Sequence, residues 1–208
     1  MKKAVVLLSG GMDSAVTLFI AKKKGYKTSC LTFDYGQRHK KEILSAKKIA
    51  RAAKSGCTVL KICLPWGKSA LLDKNIKVPE NRNLSDRDNI PPTYVPARNT
   101  IFLSFGLSYA EAIGAKAVFI GANAVDFSGY PDCRPGYYRK FNELFKKAVK
   151  AGGIKIVAPL LYETKKDIVR IGTGLGVDFN LTWSCYKGGS RPCGVCDACR
   201  LRAKGFLN

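Results

Sequence analysis

The sequence predicts an α/β protein with a Rossmann-like, doubly wound parallel sheet of about five strands and a small cysteine-rich C-terminal element. Three observations lead to this prediction. Short strands that are apolar throughout alternate with helical patterns, as in sheets covered on both faces. A glycine-rich turn joins the first strand to the first helix, and four of the eight cysteines lie in the last 24 residues.

The first half of the chain contains three strands and two helices. Gly25 is expected to end the first helix, which begins at Asp13 or Ser14, because glycine readily adopts a left-handed conformation. The second helix carries its apolar residues on one face and lysines elsewhere. The predicted strands cover residues 4–8, 28–33 and 57–63, and the predicted helices cover residues 13–24 and 38–54.

A long connection, residues 64–96, interrupts this alternation and holds five of the nine prolines. A connection of this length predicts either a mobile active-site lid or a disordered link. Thr164 and Asp167 resemble a capping box with a shorter acid, so the last helix is expected to begin there. The other predicted elements are helices over residues 98–113 and 135–150, and strands over 115–123 and 154–160.

Composition narrows the class of protein. The net charge of +21, from 36 basic and 15 acidic side chains, favours anionic partners, although a solvated basic surface explains it equally well. No apolar run approaches the roughly 18 residues of a membrane span, and the apolar start is too short for an export signal. We therefore expect no membrane partner and a cytoplasmic location, where eight cysteines do not indicate a disulfide framework.

The opening loop, Ser-Gly-Gly-Met-Asp-Ser, predicts a phosphate site. Backbone N–H groups at a helix N-terminus bind anions, and Gly10 and Gly11 allow close approach. Ser9 and Ser14 add hydroxyl donors, and Asp13 is suited to hold Mg²⁺ with ATP. The loop lacks the lysine that serves γ-phosphoryl transfer, so we interpret it as holding a pyrophosphate leaving group during adenylation of a substrate.

A second glycine-rich stretch, residues 172–179, follows a predicted helix and not a strand. It is therefore not interpreted as a nucleotide loop. Gly172 and Gly174 are expected to be helix C-caps instead.

The C-terminal cysteines have the spacing C-x7-C-x2-C-x2-C, which lets four thiolates converge on one tetrahedral ion. A structural Zn²⁺ is the favoured interpretation, with an iron–sulfur cluster as the alternative. The sequence therefore predicts a nucleotide-binding domain over residues 1–180 and a zinc-binding element over residues 181–208. The predicted ligands are Cys185, Cys193, Cys196 and Cys199.

Two middle motifs carry candidate substrate residues. In Tyr-Val-Pro-Ala-Arg-Asn, Arg98 is a candidate for stabilising a carboxylate or the α-phosphate, with a surface ion pair as its alternative role. After the fourth strand, Asp126 or Asp132 can accept two N–H groups from a guanine-like edge, or can cap a turn. His39 follows the second strand and is expected to face the same cleft. The candidate substrate-binding residues are Asn99, Asn123, Asp126, Tyr130, Asp132 and Arg134.

The opening loop resembles the signature of the PP-loop ATP pyrophosphatases. Together with Tyr-Val-Pro-Ala-Arg-Asn, Ser-Gly-Tyr-Pro-Asp-Cys-Arg and the cysteine cluster, the chain is similar to the 7-cyano-7-deazaguanine synthase family. The resemblance implies that 7-carboxy-7-deazaguanine, ammonia and ATP give the nitrile, AMP and pyrophosphate, in a homodimer that requires no nucleic acid. Asp13, Arg98 and Asp132 are the expected catalytic residues. The implied ATP-binding residues are Leu8, Ser9, Gly10, Gly11, Met12, Asp13, Ser14, Ala15, Val16, Thr17 and Leu18.

Two other functions are compatible with parts of the sequence. A tRNA-modifying, thiolating PP-loop enzyme would explain the positive charge, but the chain shows no distinct RNA-binding appendage. A zinc-ribbon module that binds nucleic acid without catalysis would not need the intact nucleotide loop.

Overall fold

A computed structural model describes residues 1–84, 90–124, 130–150 and 152–207. It contains a five-stranded parallel sheet in the order β3-β2-β1-β4-β5. The strands are β1 Lys3–Leu7, β2 Lys27–Asp34, β3 Gly56–Lys61, β4 Ala117–Phe119 and β5 Lys155–Val157. The helices are α1 Met12–Lys23, α2 Lys41–Ala52, α3 Arg98–Ala112, α4 Pro135–Ala148, α5 Lys165–Gly174 and α6 Asp197–Phe206.

The sheet is covered on both faces, as predicted from its apolar strands. Alternate side chains of β1 point into two separate cores: Val5 packs with residues of α3 and α4, whereas Val6 packs with residues of α1, α2 and α5. The strand order runs outward from β1 in both directions, to β2 and β3 on one side and to β4 and β5 on the other. The crevice outside the carboxyl ends of β1 and β4 is therefore the expected ligand site.

Most predicted elements are confirmed, with two differences. β4 and β5 are three residues each, shorter than predicted, because their pairing in the sheet ends at Phe119 and Val157. The helix after Thr164 is not the last one, since α6 follows the cysteines. The capping box is confirmed: Thr164 accepts from the N–H of Asp167, and the Asp167 carboxylate accepts from the N–H of Thr164.

The interpretation of Gly172 as a helix C-cap is wrong. Gly172 lies inside α5, and a β-carbon there would be 2.7 Å from Val16 of α1 and 2.5 Å from the Phe179 ring. The absence of a side chain therefore permits close packing of α5 on α1. The left-handed glycine after α5 is Gly176, with φ +75°.

The long connection packs against the C-terminal element over its described residues. Val78 is buried in a small cluster with the cysteines, and Glu80 forms an antiparallel bridge with Cys196. Arg82 forms an ion pair of 3.0 Å with Asp197, the first residue of α6. This part of the connection is therefore fixed by contacts that its composition did not predict.

Within the described ranges, no helix has the length and apolar character needed to cross a membrane. The division of the chain into residues 1–180 and 181–208 stays a prediction.

Candidate active site

A cavity of about 260 Å³ opens at the carboxyl ends of β1 and β4. Its walls come from the opening loop, the segment after β2, the start of α3, the start of α5 and the C-terminal segment. Residues far apart in the sequence thus share one space. The cavity lies where the parallel sheet predicts a ligand.

The opening loop is held by its own serines. The hydroxyl oxygens of Ser9 and Ser14 lie 3.0 Å apart, and Ser14 Oγ donates to the Gly11 carbonyl at 3.0 Å. The Gly11 N–H donates to Ser9 Oγ at 3.3 Å. No side chain among the described residues caps the N-terminus of α1, so its first N–H groups are oriented as an anion site.

Two glycines bring other backbone segments against this loop. Gly10 has φ +88°, and a β-carbon there would overlap the carbonyl oxygen of Glu42 at the start of α2. A β-carbon on Gly121, just after β4, would lie 2.9 Å from the Ser14 nitrogen. Only glycine at both positions allows the loop to sit between α2 and the end of β4.

Asp13 is paired with a lysine from a distant helix. Lys165 Nζ lies 2.7 Å from Asp13 Oδ2, and the Asn123 amide donates to the same oxygen at 3.4 Å. The lysine side chain is only 12% exposed. The loop sequence lacks a lysine, but the fold places one beside it. No sequence pattern marked Lys165 as a site residue beyond its place at the start of a predicted helix.

Arg98 lines the cavity, as expected from its motif. Its guanidinium donates to the Tyr35 hydroxyl at 3.2 Å, and it forms no surface ion pair within the described part of the chain. The preceding residue, Ala97, has φ +52°, which is a strained conformation for a residue with a β-carbon. Because the Ala97 N–H donates to the Tyr94 hydroxyl at 3.0 Å, this bend is supported by its own motif.

Glu42 is a cavity residue that sequence inspection missed. It lies in the first turn of α2 and lines the cavity. The helix predicted there carries many charged residues, so Glu42 resembled a residue on a solvent-exposed face. Burial raises the pKa of its carboxyl to about 7, and the Arg98 charge partly opposes this shift.

The predicted substrate residues are only partly brought together. Asn99 and Tyr130 line the cavity, whereas Asn123 is buried beside Asp13 and Arg134 is exposed outside the lining. Asp132 does not line the cavity, and its carboxylate accepts from the Asn99 N–H at 2.8 Å. This contact favours the capping role for Asp132, because it satisfies a free N–H in the first turn of α3. Asp126 lies outside the described residues.

His39 lines the cavity, as expected, but it also packs against the C-terminal segment. A β-carbon on Gly188 would overlap the imidazole ring. Burial lowers the pKa of His39, so the ring is expected to be neutral near pH 7.

The four C-terminal cysteines converge as their spacing predicted. The sulfur atoms of Cys185, Cys193, Cys196 and Cys199 all lie within 4.8 Å of one another. A tetrahedral zinc site with Zn–S bonds of ~2.3 Å requires sulfurs about 3.8 Å apart, so the group fits such an ion. The N–H groups of Cys193 and Cys196 donate to cysteine sulfurs at 3.4 Å, as expected for thiolate ligands. These cysteines can hold a metal ion.

The cysteine-rich segment also touches the opening loop. The Trp183 N–H donates to the Gly10 carbonyl at 2.9 Å, and Arg202 of α6 lines the cavity. Arg202 is fixed by the Phe179 carbonyl, to which it donates at 2.8 Å. A metal that orders this segment would therefore also order one wall of the nucleotide site.

The fold and the loop define a nucleotide-binding α/β protein of the PP-loop class. Its fold is similar to the structure of NMN synthetase from Francisella tularensis, with a TM-score of 0.53 and 18% identity, covering 93% of this chain and 71% of the other. The chain belongs to the family described as "Queuosine biosynthesis protein QueC", whose model matches residues 3–208.

Two curated relatives support this assignment. A protein of Picrophilus torridus named 7-cyano-7-deazaguanine synthase is 54% identical, over 100% of this chain and 88% of its own length. One of the same name from a Nostoc species is 53% identical, over 98% of this chain and 92% of its own length.

Proposed function

We propose that the protein converts 7-carboxy-7-deazaguanine and ammonia into 7-cyano-7-deazaguanine, with ATP cleaved to AMP and pyrophosphate. The observation that carries this proposal is the similarity, at more than 50% identity over nearly the full length, to relatives named 7-cyano-7-deazaguanine synthase. The cavity supports it independently, because an anion-binding loop and a partly buried arginine line the same space.

The loop is suited to hold the β- and γ-phosphates together. The free N–H groups of α1 and the hydroxyls of Ser9 and Ser14 are donors for phosphate oxygens. Lys165 adds a positive charge beside them. Because this set grips the leaving pyrophosphate and not the γ-phosphate alone, it favours attack at the α-phosphorus.

Asp13 is the residue best suited to hold Mg²⁺ with ATP. Its Oδ1 is buried and has no hydrogen-bond partner among the described residues, whereas Oδ2 is occupied by Lys165. Carboxylate oxygens are ligands that Mg²⁺ prefers. The ion would neutralise charge on the phosphates, and Asp13 would fix its position relative to the loop.

An acid becomes a nitrile only when both of its oxygens leave. Adenylation of the carboxylate converts the first oxygen into a good leaving group, and ammonia then gives the amide. Adenylation of the amide oxygen lets the second oxygen leave as AMP. One cavity can perform both steps, and the two steps consume two ATP.

Arg98 is proposed to stabilise the substrate carboxylate or the α-phosphate. Its guanidinium is partly buried, and no anionic side chain among the described residues forms an ion pair with it. Asn99 and Tyr130 on the neighbouring wall are candidates for contacts with the heterocycle.

The cysteine cluster is proposed to hold one structural Zn²⁺ per chain. Four thiolates and no other ligand leave no open position for catalysis, so the ion would order the wall formed by Trp183 and Arg202. Metal analysis should find one zinc per chain. A brown protein absorbing near ~400 nm would instead identify an iron–sulfur cluster.

A homodimer is also proposed. On α3, Phe105 remains 39% exposed, and Ile101 and Phe102 are only partly buried. An exposed apolar helix face is suited to a second copy. Nucleic acid is not required by the proposed reaction, whose substrate is a free base, and the cytoplasmic location stays a prediction.

The test is incubation with ATP, an ammonium salt and 7-carboxy-7-deazaguanine, followed by mass analysis. We expect the nitrile together with two AMP and two pyrophosphate per molecule. Release of ADP and phosphate would contradict the adenylation mechanism. Incorporation of sulfur into tRNA in place of nitrile formation would favour the thiolating alternative.

A further inference from the structure

We propose that Glu42 is the proton acceptor for the reacting nitrogen, both when ammonia forms the amide and when the amide becomes the nitrile. This inference rests on the proposed function, because the nitrogen is supplied by that reaction.

Glu42 lies at the cavity in which the proposed reaction would take place. Its backbone carbonyl packs on Gly10 of the opening loop, and its side chain lines the same cavity as Arg98. Glu42 therefore borders the cavity that the phosphate loop and the arginine also line. A group that accepts a proton from the reacting centre must lie in this space.

Glu42 is also the available carboxylate in that space. Among the described lining residues, only Asp13 and Glu42 carry carboxylates. Asp13 is bound to Lys165 at 2.7 Å. Glu42 has no hydrogen-bond or ion-pair partner within the described ranges, and Arg98 stabilises its charge from beyond ion-pair distance. Its lone pairs are free to accept a proton.

The surroundings of Glu42 suit a base that works near neutral pH. Burial raises its pKa to about 7, close to the value at which a general base is most effective. Burial also raises the pKa of Tyr35, which therefore stays protonated and cannot compete for the proton. The other titratable or charged groups that line the cavity are Asp13, Arg38, His39, Arg98, Tyr130, Cys133, Lys165, Tyr186 and Arg202.

In the first step, the ammonia lone pair forms a C–N bond to the carbonyl carbon of the adenylated acid. The C–O bond to AMP breaks, and its electron pair leaves with AMP. The nitrogen then carries one proton too many for a neutral amide, and Glu42 accepts it. Release of this proton to solvent restores the carboxylate.

In the second step, the amide oxygen attacks the α-phosphorus of ATP, and pyrophosphate leaves with the electron pair of the broken P–O bond. The adenylated amide then carries an iminium nitrogen with two protons. Glu42 accepts them one after the other and passes each to solvent. Loss of the last proton supplies the electron pair of the third C–N bond as the C–O bond to AMP breaks. The products are the nitrile, AMP, pyrophosphate and two protons.

The test compares Glu42→Gln with the wild type, using the carboxamide of 7-deazaguanine and ATP as substrates so that ammonia is bypassed. The wild-type kcat should decrease as the pH is lowered below about 7, because a protonated carboxyl cannot accept a proton. Glu42→Gln should lower kcat at least about 100-fold, the usual contribution of a general base, and abolish this limb of the pH profile. Glu42→Asp should restore part of the rate.

Adenylation provides the separate readout. Exchange of labelled pyrophosphate into ATP, with the carboxylate substrate and no ammonium, should be unchanged in Glu42→Gln. If the wild type shows no such exchange, the proposed function itself fails. Glu143→Gln, which changes an exposed carboxyl on α4, is the matched control and should behave as the wild type.

Two outcomes would overturn the role of Glu42. One is an unchanged kcat and pH profile in Glu42→Gln with normal adenylation. The other is a rise in the KM for the deazaguanine alone, which would mean that Glu42 binds the heterocycle and does not accept the proton.

Discussion

Replacing Gly10 with alanine tests whether the opening loop is fixed by its contact with α2. Gly10 has φ +88°, so an alanine there incurs about 1–2 kcal/mol of backbone strain. Its β-carbon would also overlap the Glu42 carbonyl oxygen and lie 3.0 Å from the Ala46 nitrogen. Since both contacts are backbone atoms of α2, the helix itself would have to move.

A matched control separates the free-energy cost of the steric overlap with α2 from the cost of the backbone strain. Gly25 has φ +79°, but a β-carbon there would meet nothing within 4 Å. Gly25→Ala should therefore show the backbone strain alone. Gly10→Ala should cost a further 1–3 kcal/mol or so, the usual range for overpacking. For a chain of 208 residues this corresponds to a melting temperature lower by roughly 2–12 °C than that of Gly25→Ala.

The assay is thermal unfolding of both variants, followed by a measurement of ATP affinity. Gly10→Ala should also weaken ATP binding, since the displaced loop carries the N–H donors of α1, whereas Gly25→Ala should bind ATP as the wild type does. Equal melting temperatures of the two variants would refute the tight contact between the loop and α2. Normal ATP affinity in Gly10→Ala would refute the placement of the nucleotide on this loop.

Three further substitutions have distinct expected outcomes. Lys165→Met should lower kcat/KM for ATP about 10- to 100-fold, as expected for loss of a charge-assisted contact. Lys140→Met, which changes an exposed lysine, should leave kcat/KM unchanged. If the two variants have the same kcat/KM for ATP, Lys165 does not belong to the phosphate site. Cys196→Ser should remove zinc and lower the melting temperature, whereas Cys63→Ser should change neither; zinc loss with unchanged melting would make the metal non-structural. Asp132→Ala should cost about 1 kcal/mol of stability as a lost helix cap and leave the substrate KM unchanged; a large rise in that KM would favour contact with the heterocycle.

Local patterns explain how much of the fold was predictable. The apolar strands and the capping box at Thr164 are short-range features, and each is found where the sequence predicts it. α6 was missed because it begins directly after Cys196 and contains Cys199, so these residues were interpreted only as metal ligands. The three-residue lengths of β4 and β5 depend on where the chain leaves the sheet, which apolar character alone does not show.

The candidate site likewise contains residues that the sequence predicts and residues that it does not. The loop around Gly10, the arginine at position 98 and the cysteine cluster are recognisable because their residue types and spacing carry the chemistry. Lys165 and Glu42 were not recognisable, because a lysine or a glutamate in a charged helix usually faces water. Their position in the cavity, and the use of Asp132 as a helix cap, arise from contacts between distant segments.

By itself, the sequence determined the class of sheet, the phosphate loop and the four cysteines that can hold a metal, because these depend on residues close together in the chain. Only the tertiary structure decided which charges meet. Lys165 comes within 2.7 Å of Asp13 across 152 positions, and Glu42 lines the same cavity as Arg98, whose charge acts on its carboxyl. The physical reason is that burial and charge pairing, which set the pKa of a carboxyl, are properties of the packed chain and not of its local pattern.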